Sequence, residues 1–250
     1  MNPSGIEWTD FTWNPITGCT KVSPGCAHCY AERTMLRFRR GQPFLPGYDS
    51  VRLHPERLDQ PYRQKQPARV FVCSMSDLFH EAVPNRFIAE VLYRAEACPH
   101  LTFQILTKRP ERMQAWLADL QHDWPAVWPL PNLWAGTSVE NRAWLHRVDL
   151  LRQTPAALRF LSVEPLLGDL GTVDLDGIGW VIVGGESGPR ARPMRPEWAR
   201  NLRDQCVAAG VPFFYKQQGA VVGHGAHELD GIEWRQFPPE GANHAGTVSG

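Results

Sequence analysis

The sequence predicts an α/β fold: a partial (β/α) TIM-like barrel with about six to seven parallel strands. Three observations predict it. Short runs rich in β-branched and aromatic residues alternate with longer stretches whose apolar residues recur at helical spacing. The order repeats as β then α along the chain, the signature of a parallel sheet with covering helices. Polar residues follow the C-terminal end of almost every strand, where barrels of this kind assemble their sites. A doubly wound open sheet gives the same alternation and stands as the structural alternative.

In chain order, an early strand is expected near residues 12–17, followed by a cysteine-bearing loop and a first helix carrying Arg33, Arg37, Arg39 and Arg40. Residues 41–68, with Pro43, Pro46, Pro55, Pro61 and Pro67, read as an excursion covering one face. Strands are predicted at 69–74, 102–107, 132–137, 158–163, 179–184 and 211–216. Helices are predicted at 84–97, 110–120, 141–151 and 195–208, several with proline in the first turn, where its missing N–H costs nothing. Residues 1–220 form one predicted barrel domain. Residues 221–250, where periodicity fades, read as a C-terminal extension, partly disordered and ending in a tail from Pro238.

Composition narrows the classes. Hydrophobic residues at 43% and charged residues at 21%, with no apolar stretch of spanning length, predict a soluble protein without a membrane partner. The start, MNPSGIEWTDF, lacks the basic and apolar regions of a secretory signal, so a cytoplasmic, reducing location is expected and the six cysteines do not read as a disulfide scaffold. A net charge of +0 gives no overall pull toward nucleic acid, so such a partner needs a local patch. The cations are mostly arginine, with lysine only at Lys21, Lys65, Lys108 and Lys216. Arginine suits phosphate forks, but a GC-rich genome is the larger part of the expected explanation for the bias.

The strand ends read Ser74-Met75-Ser76-Asp77, Thr107-Lys108-Arg109, Ser138-Val139-Glu140-Asn141, Glu164-Pro165, Gly185-Glu186-Ser187 and Lys216-Gln217-Gln218. Together they place hydroxyls, carboxylates and two lysines around one rim, although solvated loops are polar by default.

The most informative segment is Gly18-Cys19-Thr20-Lys21-Val22-Ser23-Pro24-Gly25-Cys26-Ala27-His28-Cys29-Tyr30. Its Ser-Pro-Gly turn can bring Cys19 back toward Cys26 and Cys29, whose spacing is that of thiolates sharing one metal centre. Three thiolates can hold three irons of a 4Fe-4S cluster and leave the fourth open to chelate S-adenosylmethionine. The alternatives are structural zinc with His28 or His80 as fourth ligand, and buried thiols. Cys73, Cys98 and Cys206, predicted in a strand and two helices, read as core residues.

With these residues the chain resembles the radical S-adenosylmethionine superfamily, in which three cysteines follow the first barrel strand and an aromatic residue commonly adjoins the last, as Tyr30 adjoins Cys29. Six residues separate Cys19 from Cys26, where three is the commonest spacing. The blocks IEWTDFTWNPITGC, SPGCAHCYAER, LTKRPERM, GTSVENR, SVEPLLG and GWVIVGGESGPRARPM look like a phage-encoded three-cysteine-motif family of that group. Cys29-Tyr30, Ser76-Asp77 and Thr107-Lys108 are distantly similar to the spore photoproduct lyase branch.

The resemblance implies a 4Fe-4S cluster on Cys19, Cys26 and Cys29, S-adenosylmethionine as cofactor, a 5'-deoxyadenosyl radical that abstracts hydrogen, an external electron donor, and a nucleic-acid base as one candidate substrate. It assigns ribose or amino-group contacts to Ser138 and Glu140, with Glu164 next, and adds Tyr30, Ser74, Ser76, Asp77 and Thr107 at the neighbouring strand ends. A capping role for Ser138 and Glu140 at the following helix is the alternative. Gly184 and Gly185 permit close approach of backbone to a ligand, or simply a tight turn. Lys108, Glu186 and Lys216 are the candidate catalytic groups, able to bind an anion or move a proton. The rival readings are a non-catalytic zinc or iron-sulfur protein that binds nucleic acid or a protein partner, and a metal-independent lyase built on these lysines with Glu164 or Glu186.

Overall fold

A computed structural model describes residues 1–39, 43–47, 49–188, 190–219 and 227–239. The Arg39 side chain, Arg40 and residues 240–250 of the expected tail lie outside the described residues. The elements run β1 (Asn2–Pro3), β2 (Phe11–Trp13), β3 (Ile16–Thr17), α1 (Tyr30–Arg39), β4 (Arg52–Leu53), β5 (Ala68–Val72), α2 (Asn85–Glu96), β6 (Leu101–Thr107), α3 (Pro110–Asp123), β7 (Leu133–Ser138), α4 (His146–Arg152), β8 (Leu158–Val163), β9 (Trp180–Gly184), α5 (Pro196–Ala209), β10 (Phe213–Gln217), β11 (Glu228–Leu229) and β12 (Ile232–Glu233).

The main sheet has eight strands in the order β1-β2-β5-β6-β7-β8-β9-β10. β1 is antiparallel to β2, and the other neighbours are parallel. The order follows the chain without the reversal that a doubly wound sheet requires, so that alternative falls away. The single early strand expected at 12–17 is two. β2 joins the main sheet, whereas β3 pairs antiparallel with β4 in the excursion. Pro15 stands between them and has no N–H to continue a ladder.

The sheet is strongly curled. Trp8 lies 4.7 Å from Phe71 on β5 and 6.3 Å from Trp180 on β9 between ring centroids. In a flat sheet those strands, four steps apart, would be about 19 Å from each other. Trp8, Phe71, Leu158, Phe160, Trp180, Ile182 and Phe214 form the buried inner core, with Trp134 and Phe237 packed against it. Gly136 makes room for it: a Cβ there would lie 2.4 Å from the Phe160 ring.

The alternate residues, among them Val70, Val72, Ile105, Leu133, Leu161, Val163, Val181 and Val183, share the outer core with Ile88, Leu117, Val148 and Leu202 of α2 to α5. On the inner face the side chains change from apolar to polar toward the C-terminal ends: Leu106 then Lys108, Phe160 then Ser162 and Glu164, Phe214 then Lys216.

The described part of the C-terminal extension packs onto the sheet. After the β11–β12 hairpin, Arg235 bridges to Phe214 antiparallel, and Phe237 lies 5.5 Å from Trp180. Arg235 also donates to Glu7 Oε1 at 3.1 Å, tying the last strand to the N-terminal segment. Cys73 and Cys98 fall just past β5 and α2 rather than inside them, and Cys206 is in α5; all three are buried. Among the described residues no helix is long and apolar enough to cross a membrane.

Candidate functional site

A cavity of about 460 Å³ opens at the C-terminal ends of the parallel strands. Cys19, Cys26 and Cys29 all line it, with Tyr30, Ser74, Ser76, Asp77, Thr107, Lys108, Ser138, Glu164, Gly185, Glu186 and Lys216. Its apolar side includes Trp8, Phe44, Phe71 and Leu106.

The cysteine loop joins β3 to α1. It leaves the sheet at Gly18, whose φ is +86° and where a Cβ would sit 1.8 Å from the Ser50 carbonyl oxygen, so only glycine fits. A short 3-10 turn, Pro24–Cys26, brings the chain back as the Ser-Pro-Gly sequence predicts.

Three strand ends then fasten the loop. From β6, Arg109 Nη1 lies 3.6 Å from Cys19 Sγ while Nη2 donates to Thr20 Oγ1 at 2.9 Å; the same guanidinium pairs with Asp77 at 3.3 Å and Glu81 at 2.9 Å. Burial pushes the Cys19 thiol up to about 12, helped by the Asp77 charge and opposed by Arg109. Burial likewise raises the Cys29 thiol, with Lys108 working against it.

From β7, the fully buried Glu140 accepts from the Ser23 hydroxyl at 2.5 Å and from Arg147 at 3.3 Å, with Lys108 Nζ at 3.8 Å. A Cβ on Gly25 would lie 2.5 Å from the same carboxylate, so the turn rests directly on Glu140. From β9, Glu186 holds His28 Nδ1 at 2.9 Å and accepts from the Arg192 guanidinium and backbone N–H, while Arg192 Nη2 donates to Pro24 O at 2.9 Å. Burial opposes the Glu186 charge, but the hydrogen bonds from Arg192 and His28 outweigh it and hold the carboxyl down at about 2.

The other predicted residues divide by what already occupies them. Asp77 accepts from Thr107 Oγ1 at 2.7 Å and Lys108 N at 3.1 Å, and Ser76 Oγ donates to Ile16 O, so this group braces the β5 and β6 ends. Ser74 Oγ bonds Asn14, and the Tyr30 hydroxyl donates to the Ser74 carbonyl. Lys216 Nζ donates to Glu164 Oε1 at 2.6 Å across the cavity wall.

Glu140 and Gly184 do not line the cavity. Nor does Glu140 cap the next helical turn, which Asn141 caps by accepting from Ala143 N. Gly185 is needed for close approach, but to backbone: a Cβ there would lie 2.4 Å from the Gln218 carbonyl oxygen. His80 has both ring nitrogens engaged, by Thr20 Oγ1 at 2.9 Å and Ala82 N at 3.1 Å. His28, by contrast, has only Nδ1 engaged among the described residues, by Glu186. Among the described residues no three His, Cys, Asp or Glu side chains converge as a set that could hold a metal ion.

Residues 3–238 match the model of the family described as Protein of unknown function (DUF5131). The chain belongs to this family. No curated protein and no solved structure matches it. The span matched to DUF5131 takes in all the cavity-lining residues.

Within this DUF5131 site, sequence reading missed three residues. Arg109 stood in the Thr107-Lys108-Arg109 strand end, but only the fold shows that it turns back under Cys19. Ser162 is buried and lines the cavity beside Ser138, its partner in the β7–β8 register; the two-residue step from Phe160 to Ser162 to Glu164 was the available signal. Arg192 lies within the GWVIVGGESGPRARPM block, with no sign in the sequence that it reaches Pro24.

Proposed function

We propose that the chain is a radical S-adenosylmethionine enzyme, its curled parallel sheet forming a partial (β/α) barrel with the cofactors at its C-terminal mouth. One observation carries the reading: three cysteines on a loop of built shape line the same cavity as the polar ends of six parallel strands. The donor set is of the right kind, since three free cysteines on one short loop can hold three irons of a 4Fe-4S cluster and leave the fourth open. A cluster held by these cysteines would supply the electron for reductive cleavage of the sulfonium carbon–sulfur bond, with methionine leaving and a 5'-deoxyadenosyl radical as the other product.

The chain's own residues orient and shield. Cys19, Cys26 and Cys29 would hold the cluster. Arg109, Glu140 and Glu186 act through other residues, fixing the loop against three strands. Ser138, Ser162, Lys108 and the Lys216–Glu164 pair line the cavity and would meet the methionyl and ribose groups or the substrate. Ser76, Asp77 and Thr107 keep their hydrogen bonds to one another and to backbone and serve as support. Trp8, Phe71 and Leu106 keep water from the apolar side. An external donor must supply the electron, in keeping with a reducing, cytoplasmic setting.

Anaerobic reconstitution with iron and sulfide tests the reading. The expected result is about four irons per chain and a paramagnetic signal on dithionite reduction that shifts when S-adenosylmethionine is added. Tightly bound zinc with no iron incorporated would overturn it in favour of a binding protein.

A further inference from the structure

The side of the cavity mouth formed by α1 and the loop after β9 carries cations that the strand-end ion pairs do not absorb. At the rim Asp77, Glu140, Glu164 and Glu186 each have a cationic partner. Arg33, exposed on α1, instead reaches across to Ser187 and donates to its carbonyl oxygen at 3.5 Å, which leaves its charge uncompensated by that contact. Gly188 has a φ of +107°, a conformation that favours glycine, and the Arg33 guanidinium packs directly over it, with Nη1 2.0 Å from where a Cβ would lie. Arg190 is exposed two residues farther along the same loop. On the helix, Tyr30, Arg33 and Arg37 are spaced three and four apart and so share one face. Tyr30 lines the cavity yet remains 44% exposed.

Resting on the radical reading, the geometry points to a single-stranded nucleic acid as the substrate class. A phosphodiester sits on Arg33 and Arg190, one base stacks on Tyr30, and the neighbouring base enters the cavity. The guanidinium fork matches phosphate geometry, and an aromatic ring beside it takes a base of any sequence. A recess of about 460 Å³ behind the rim admits a base only when it has left its stack, which favours a single strand over a duplex. An acidic peptide would meet the arginines but has no planar group for the tyrosine.

The test is fluorescence anisotropy with a labelled twelve-residue oligothymidylate, titrated with the full chain as purified, at several salt concentrations. No cofactor or reductant is present, so a failed cluster assay leaves this result standing. The expected result is binding that weakens with salt, falls about fivefold for each of Arg33→Gln and Arg190→Gln, and loses roughly 0.7 from its salt slope with each change. Arg86→Gln, an exposed arginine on α2, should leave binding unchanged. Absence of binding at low salt, an equal loss in Arg86→Gln, or equally tight binding of a labelled oligoglutamate would each overturn the proposal.

Discussion

The Ser23 hydroxyl donates to Glu140 Oε1 across 117 residues of sequence, at 2.5 Å, and the carboxylate that receives it is wholly buried. That contact, with Arg147 on the other carboxylate oxygen, makes Glu140 the support of the cysteine turn rather than a group facing the cavity.

Glu140→Ala should therefore destabilise the protein by about 3 kcal/mol, because it leaves the buried Arg147 guanidinium without its counter-charge. Urea unfolding measures this. Glu140→Gln, which keeps an acceptor for Ser23, should restore part of the loss; a loss below about 0.5 kcal/mol for the alanine variant would contradict the assignment.

Glu186 predicts a dependence on pH. Its carboxyl is depressed from 4.5 to about 2 in the folded chain, so its contribution is complete above the unfolded value and is lost as pH falls through the folded one. The stability difference between wild type and Glu186→Gln should shrink steadily from pH 5 toward pH 2. A difference that stays constant over that range would mean the carboxylate is not held by Arg192 and His28.

Much of the architecture was legible because it is local. Val-, Ile- and Phe-rich runs such as 158–163 match their strand end to end, and the proline-headed helices start where the missing N–H predicts. The cysteine loop was legible for the same reason, since its turn and its two-residue spacing are encoded within a dozen residues. What was hidden depends on distant partners. Glu140, read as a cofactor ligand, turns to Ser23; Gly185 accommodates Gln218; Arg109 turns under Cys19; and the extension beyond residue 220 sends Phe237 into the inner core. No periodicity announces such contacts, because each is set by which strand ends the curl brings together.

The curl itself is open to test at Gly136. Adding a Cβ should force it against the Phe160 ring and cost about 1–3 kcal/mol by overpacking. Thermal unfolding of Gly136→Ala should show a clear loss that Phe160→Leu in the same chain partly relieves. Additive losses in the double variant would mean the two residues do not face each other.

The central claim is tested most directly by 5'-deoxyadenosine release from S-adenosylmethionine after dithionite reduction of the reconstituted protein, in wild type and in Cys26→Ala. The account predicts release by wild type and none above background by the variant. Wild-type protein that incorporates its iron but releases no 5'-deoxyadenosine, or a variant that releases it as fast, would contradict the account.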